Sequence, residues 1–164
     1  MTHDDTVAAR LAQRGHPLPA PWAVPPDANI PATLVRITGD TAWVSGHIPT
    51  DLDGHPTTTL GTVGTTVTPK QATDLAIRTA LSLLASLKQS LDTLDRINAW
   101  CQLTCMVNAD RKFTDYPSLF NPASQLILDA FGPQIGAHAR TAVGLAGLPW
   151  NAPVEIAATV QIDH

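Results

Sequence analysis

Arg140 and Glu155 stand out as charged side chains inside the apolar C-terminal stretch HARTAVGLAGLPWNAPVEIAATVQIDH, residues 138–164. The small and branched residues around Arg140 read as a buried strand, and VEIAATVQI, after the turn LPWNAP, reads as another. A cation and a carboxylate inside strands this apolar are costly to bury unpaired, so each needs a partner. A bound ligand is one such partner. A guanidinium fork meets a carboxylate through two parallel hydrogen bonds, and a carboxylate can orient or deprotonate water. A structural ion pair is the alternative, since such pairs occupy similar positions. If LPWNAP closes a simple hairpin, Arg140 pairs near Ile162 and lies roughly 20 Å or more along the sheet from Glu155. A site holding both then needs a neighbouring subunit, or a sheet order other than a hairpin.

Other reactive residues carry weaker signals. Ser45 and His47 would face one side of a strand as nucleophile and base, but no third group completes a triad. Cys101 and Cys105 alternate onto one face of a strand, about 13 Å apart, too far for a disulfide. Both read as core or interface thiols. The six histidines, at 3, 16, 47, 55, 138 and 164, form no ligand pair, so no metal is expected. The glycines of GTVG, 61–64, lack the GK[ST] ending of a phosphate loop.

The elements that must position these residues follow in chain order. Residues 4–14 form a short helix capped by Asp4 or Asp5, with Val7, Ala8 and Leu11 on one side, ended by Gly15. Residues 16–31 hold six prolines and read as an extended arm, with Leu18, Trp22 and Val24 lying over the domain or a neighbour. Segments 32–38 and 41–48 are strands joined by a turn at Gly39-Asp40. Gly46 permits close approach of a ligand or another strand. Residues 50–66 are a polar loop. Thr68-Pro69 starts a long helix whose stripe runs Ala72, Leu75, Ala76, Thr79, Leu83, Leu84, Leu87, Leu91. A third strand lies within 94–107, and 109–117 is a loop with solvated charges. Asn121-Pro122 starts the second helix, with Ala123, Leu126, Ile127, Ala130 and Phe131 buried, and Gly132-Pro133 stops it. The resulting order, ββαβαββ, makes an α+β fold, a single sheet with two helices on one face. Its uncovered face is a natural oligomer interface.

The chain has 164 residues, 44% apolar and 15% charged, which suits one domain with a sizeable core. Its net charge of −4 argues against a nucleic-acid face. It has no run of apolar residues long enough for a membrane span, and its first residues do not read as a secretory signal. A cytoplasmic location is the expectation.

SGHIP (45–49), FNPAS (120–124) and HARTAVGLAGLPWNAPVEI (138–156) together resemble the Rid family, the YjgF-like reactive intermediate deaminases once called L-PSP endoribonucleases. The resemblance covers about residues 30–162. The most specific part is Arg140, then Leu148-Pro149, then the VEI of 154–156. The longer N-terminus and the wording around GTVG and HARTAVG look like the longer YjgF-like branch. The resemblance divides the chain into an N-terminal helix and proline-rich arm, 1–29, and a Rid-like domain, 30–164. It implies a chorismate-mutase-like fold, a homotrimer, and pockets between subunits. It implies hydrolytic deamination of small imine or enamine intermediates without a cofactor. Arg140 would hold a substrate carboxylate and Glu155 would orient or activate water. Ser45, Asn121 and the backbone from Ala139 to Ala142 would line the pocket. The chain departs from the deaminases proper at Ala32, where they carry a tyrosine, at Ala142, where they carry a cysteine, and at His47 of the usual SGQ. Ala157 replaces a second acid common after VEI. Other readings are a non-catalytic trimer binding small carboxylates or a partner protein, an endoribonuclease, and another pathway enzyme on the same scaffold.

Overall fold

In the computed structural model, residues 6–163 are described. The caps expected at Asp4 or Asp5 lie outside them. Helix α1 spans Thr6–Gln13 and buries Val7 and Leu11. Gly15, at φ 81°, turns the chain out of it. The proline-rich arm then runs without helix or strand to residue 34, and Trp22 is buried against Ile48 and Ala152.

Strands β1, Val35–Thr38, and β2, Thr41–His47, form the expected hairpin, with Thr38 opposite Thr41 and Gly39 at φ 59°. β1 starts later than expected. Pairing runs one residue further, through the Ser45 amide to the Leu34 carbonyl, and the chain then turns away. Helix α2, Pro69–Leu91, carries a full capping box: the Gln71 amide donates to the Thr68 hydroxyl at 3.2 Å, and the Gln71 side chain accepts from the Thr68 amide at 2.9 Å. Every residue of its expected stripe is buried. Strand β3, Ile97–Asn108, follows a short 3-10 turn.

Helix α3, Tyr116–Ile135, begins before the expected Asn121. Asp115 caps it by accepting from the Ser118 amide, and Pro117 occupies the first turn, so the cap-and-proline logic operates one turn and more upstream. Asn121 therefore sits inside the helix, its side chain free of capping duty. Gly132 leaves helical geometry at φ 82°, ψ 167°, and the chain makes one further turn to Ile135.

Strands β4, Ala139–Leu145, and β5, Val154–Ile162, are not hairpin partners. The sheet order is β1-β2-β5-β3-β4; β3 and β4 are parallel, and every other pair is antiparallel. Helices α2 and α3 pack on one face, α2 over β2 and the buried Val154, Ile156, Ala158, Val160 and Ile162 of β5, and α3 over β3 and β4. Glu155, Ala157, Thr159 and Gln161 alternate onto the other face, half-buried. Among the described residues no helix is long and apolar enough to cross a membrane.

Two bulges overturn two simple face assignments. The register shifts between Val44 and His47, so Ser45 is exposed while His47 is fully buried. The register also shifts between Trp100 and Gln102, leaving Cys101 exposed and Cys105 buried.

Candidate active site

Arg140 lies on edge strand β4, opposite Leu103 of the buried face, and so points toward the helix layer. Its guanidinium donates to Ser124 Oγ at 3.0 Å, to Asn121 Oδ1 at 3.0 Å and to the Pro117 carbonyl at 3.3 Å, all on α3. His138 stands behind Ser124. Its Nδ1 is 2.7 Å from the Gly136 carbonyl, so Nδ1 carries the proton and Nε2 accepts from the Ser124 hydroxyl at 3.0 Å. That relay leaves the Ser124 oxygen to accept from Arg140 and aims the guanidinium. Asn121, Ser124, His138 and Arg140 border an open cavity of about 420 Å³.

Glu155 belongs to a different place. It faces the helix-free side of the sheet, beside Ser45 and directly over Gly46. A Cβ at position 46 would fall inside its carboxylate, so any side chain there would push the carboxylate out of this position. Among the described residues the Glu155 carboxylate has no hydrogen bond and no ion pair, and burial pushes its pKa up. Ser45 gives its proton to the Thr33 carbonyl at 2.7 Å. The Ser45–His47 pairing does not form. His47 donates through Nδ1 to the Ser45 carbonyl at 2.7 Å and accepts from the Ser86 hydroxyl at 2.8 Å, inside the core. Ser45, Glu155, Trp22 and Trp150 border a cavity of about 330 Å³.

The two halves do not meet within one chain. Leu103 pairs with Arg140 on one side and Ala158 on the other, three residues along β5 from Glu155. Three residues and two strand spacings put the two backbones roughly 14 Å apart, and the side chains leave opposite faces. The structure thus joins Arg140 to Asn121, and Glu155 to Ser45. Ala139 is exposed on the edge strand, and Ala142 packs against the core beside Cys105, whose thiol burial pushes to about 12. Among the described residues no three His, Cys, Asp or Glu side chains gather as a metal site requires.

Ser124, His138 and Trp150, which lie within the family-like motifs, and Trp22, expected to lie over the domain, join these surroundings, although the sequence assigned none of them a place at the site. Trp150 and Asn151 adopt φ of 53° and 58°, and for a bulky residue that conformation costs about 1–3 kcal/mol. The turn is held by Asn108, which donates to Asn151 Oδ1 at 3.2 Å, and by the Gly61 amide, which donates to the Asn151 carbonyl at 2.9 Å.

No family model matches the sequence. Protein TCP17 of Trypanosoma cruzi is 38% identical over 159 residues, which span 96% of this chain and 95% of that protein. Atu1372 of Agrobacterium tumefaciens, a protein of unknown function, has a crystal structure similar at TM-score 0.84 and 32% identity, over 98% of this chain and 94% of that one. YyfA of Yersinia pestis, of unknown function and from the conserved Rid family, is similar at TM-score 0.58 and 20% identity, over 87% and 93% of the two chains. Escherichia coli TdcF with bound serine is similar at TM-score 0.57 and 18% identity, over 88% and 94%. The last two comparisons concern the fold.

Proposed function

This chain belongs to one family with TCP17 and Atu1372, built on the Rid fold, and from that premise we propose that it hydrolyses reactive imines and enamines of small carboxylic acids to carbonyl products and ammonia. One observation carries the reading: the Glu155 carboxylate stands unpartnered among the described residues, its pKa raised by burial, in a cavity wall beside Ser45. The serine bound to TdcF is a small amino acid with a carboxylate, the class of group that Arg140 suits.

The working site is shared between subunits of a homotrimer. Arg140 of one protomer, aimed by Asn121 and Ser124, holds the substrate carboxylate at the Glu155 cavity of the next. Backbone between Ala139 and Ala142 borders the same cleft. The Ser45 oxygen accepts from the imine N–H, since its own proton is committed to Thr33. Glu155 takes a proton from water as the water oxygen bonds to the imine carbon, and a proton is returned to nitrogen. The carbinolamine hydroxyl then gives its proton to Glu155 as the C–N bond breaks, ammonia leaves and the carbonyl forms. An iminium carbon is already electrophilic, so this acid–base help is sufficient, and no cofactor takes part.

Ammonia release from imines made in situ by an amino-acid oxidase tests this reading. The wild type accelerates release, and Glu155→Gln lowers the acceleration by about 10²–10⁴-fold while still binding ligand. Arg140→Ala abolishes it through KM. Because only ionised Glu155 acts as base, the rate falls as pH falls through its pKa, which lies above the ordinary 4.5. Ligand binding with no acceleration would mean a binding protein instead.

A further inference from the structure

Resting on the deaminase reading, we propose that the cavity beside Glu155 is an apolar chamber that selects imines derived from bulky aliphatic and aromatic amino acids over those from small ones. At about 330 Å³ the chamber is within the size range of small-molecule pockets. Glu155 is the one charged side chain among the described residues that line it. The remaining wall is almost wholly apolar: Trp22 and Ile30 from the arm, Leu34 and Ile48 beside β2, and Pro149 and Trp150 from the turn before β5. The Trp22 and Trp150 rings meet edge to face, with centroids 5.9 Å apart and planes at 86°. That corner offers an aromatic face and edge to a third ring. Ala32 lines the same cavity with only a methyl group and leaves its volume open.

The backbone carrying both tryptophans is tied to neighbouring segments. The arm is tied to the loop after β2 by the Ala20 amide to the Leu52 carbonyl at 2.9 Å and the Ala23 amide to the Gly54 carbonyl at 3.0 Å. Gly54 has no room for a Cβ beneath the Pro21 backbone. Trp150 is fixed by the left-handed backbone of its turn and the bonds to Asn151. A bulky side chain exchanges water for these walls; a methyl or hydroxymethyl group leaves them wet. The difference in buried apolar surface favours the larger substrate.

The test compares imines made from alanine, leucine and phenylalanine with the full-length protein, by kcat/KM, beside calorimetric titration with the matching stable 2-oxo acids. The leucine and phenylalanine imines should exceed the alanine imine by about 10–100-fold, and their oxo acids should bind more tightly in the same order. Ala32→Phe fills the chamber and Trp150→Ala removes a wall, so each lowers that ratio. The ratio is internal to each variant, so a general loss of folded protein cancels. Equal rates and equal binding across the series overturn the inference, as does a ratio unmoved in both variants. No acceleration of any imine, with the bulky oxo acids still bound preferentially, overturns the deaminase reading and leaves the selective chamber standing.

Discussion

His47 is the buried titratable residue whose role differs most between strand periodicity and tertiary structure. It is fully buried and its ring lies 5.5 Å from that of Trp22. Desolvation lowers its pKa from 6.5 to about 4, against a smaller opposing effect of the bond to the Ser45 carbonyl. The native state therefore keeps His47 neutral where the unfolded chain would protonate it. Between those values the unfolded state binds more protons, so stability rises with pH. The sign is definite: stability is full above about 6.5 and declines as pH falls toward 4. Thermal melts from pH 7 to 4.5 should show this loss in the wild type and a shallower one in His47→Gln. Equal slopes would remove His47 as the cause.

At the scale of elements, the arm and the bulged strands do what periodicity alone does not announce. The arm lies over Gly54, at φ 82°, where its carbonyls leave no space for a side chain. Gly54→Ala combines a disfavoured backbone conformation with that clash and should cost about 1–3 kcal/mol. Denaturant unfolding measures the cost, and proteolysis within residues 16–31 should quicken as the arm loosens. Unchanged stability together with unchanged proteolysis would mean that the arm is held elsewhere. The bulge in β2 lets the same strand present Ser45 to the cavity and His47 to the core. An uninterrupted strand would place both on one face.

At the scale of the whole molecule, the two charged residues on opposite faces pose the main question. In the proposed trimer, each site draws Arg140 and Glu155 from different chains. Sedimentation should give three times the 17.4 kDa chain mass. Arg140→Ala and Glu155→Gln subunits, each inactive alone, should recover activity when unfolded and refolded together. With random assembly about a quarter of the sites carry both native residues. No recovery from a well-mixed trimer would place each site within one chain.

Much of the fold was legible because its signals are local. Thr68-Pro69, the stripe of α2 and the Gly39-Asp40 turn are read from neighbouring residues and needed no tertiary context. The start of α3 was misplaced because two cap-and-proline sequences, at Asp115 and at Asn121, compete within a few residues, and only packing selects the first. Arg140 and Glu155 stood out because a charge in an apolar strand is conspicuous wherever it occurs. Their surroundings were not legible. Inserting β3 between β4 and β5, the bulge behind Ser45, the Ser124–His138 relay and the two tryptophans of the chamber all depend on contacts between distant segments. The sequence by itself determined the element types and the two charged residues, since period and composition act over a few residues. Tertiary structure alone decided which faces those residues leave and what stands beside them, because strand order and register are settled by packing across the whole sheet.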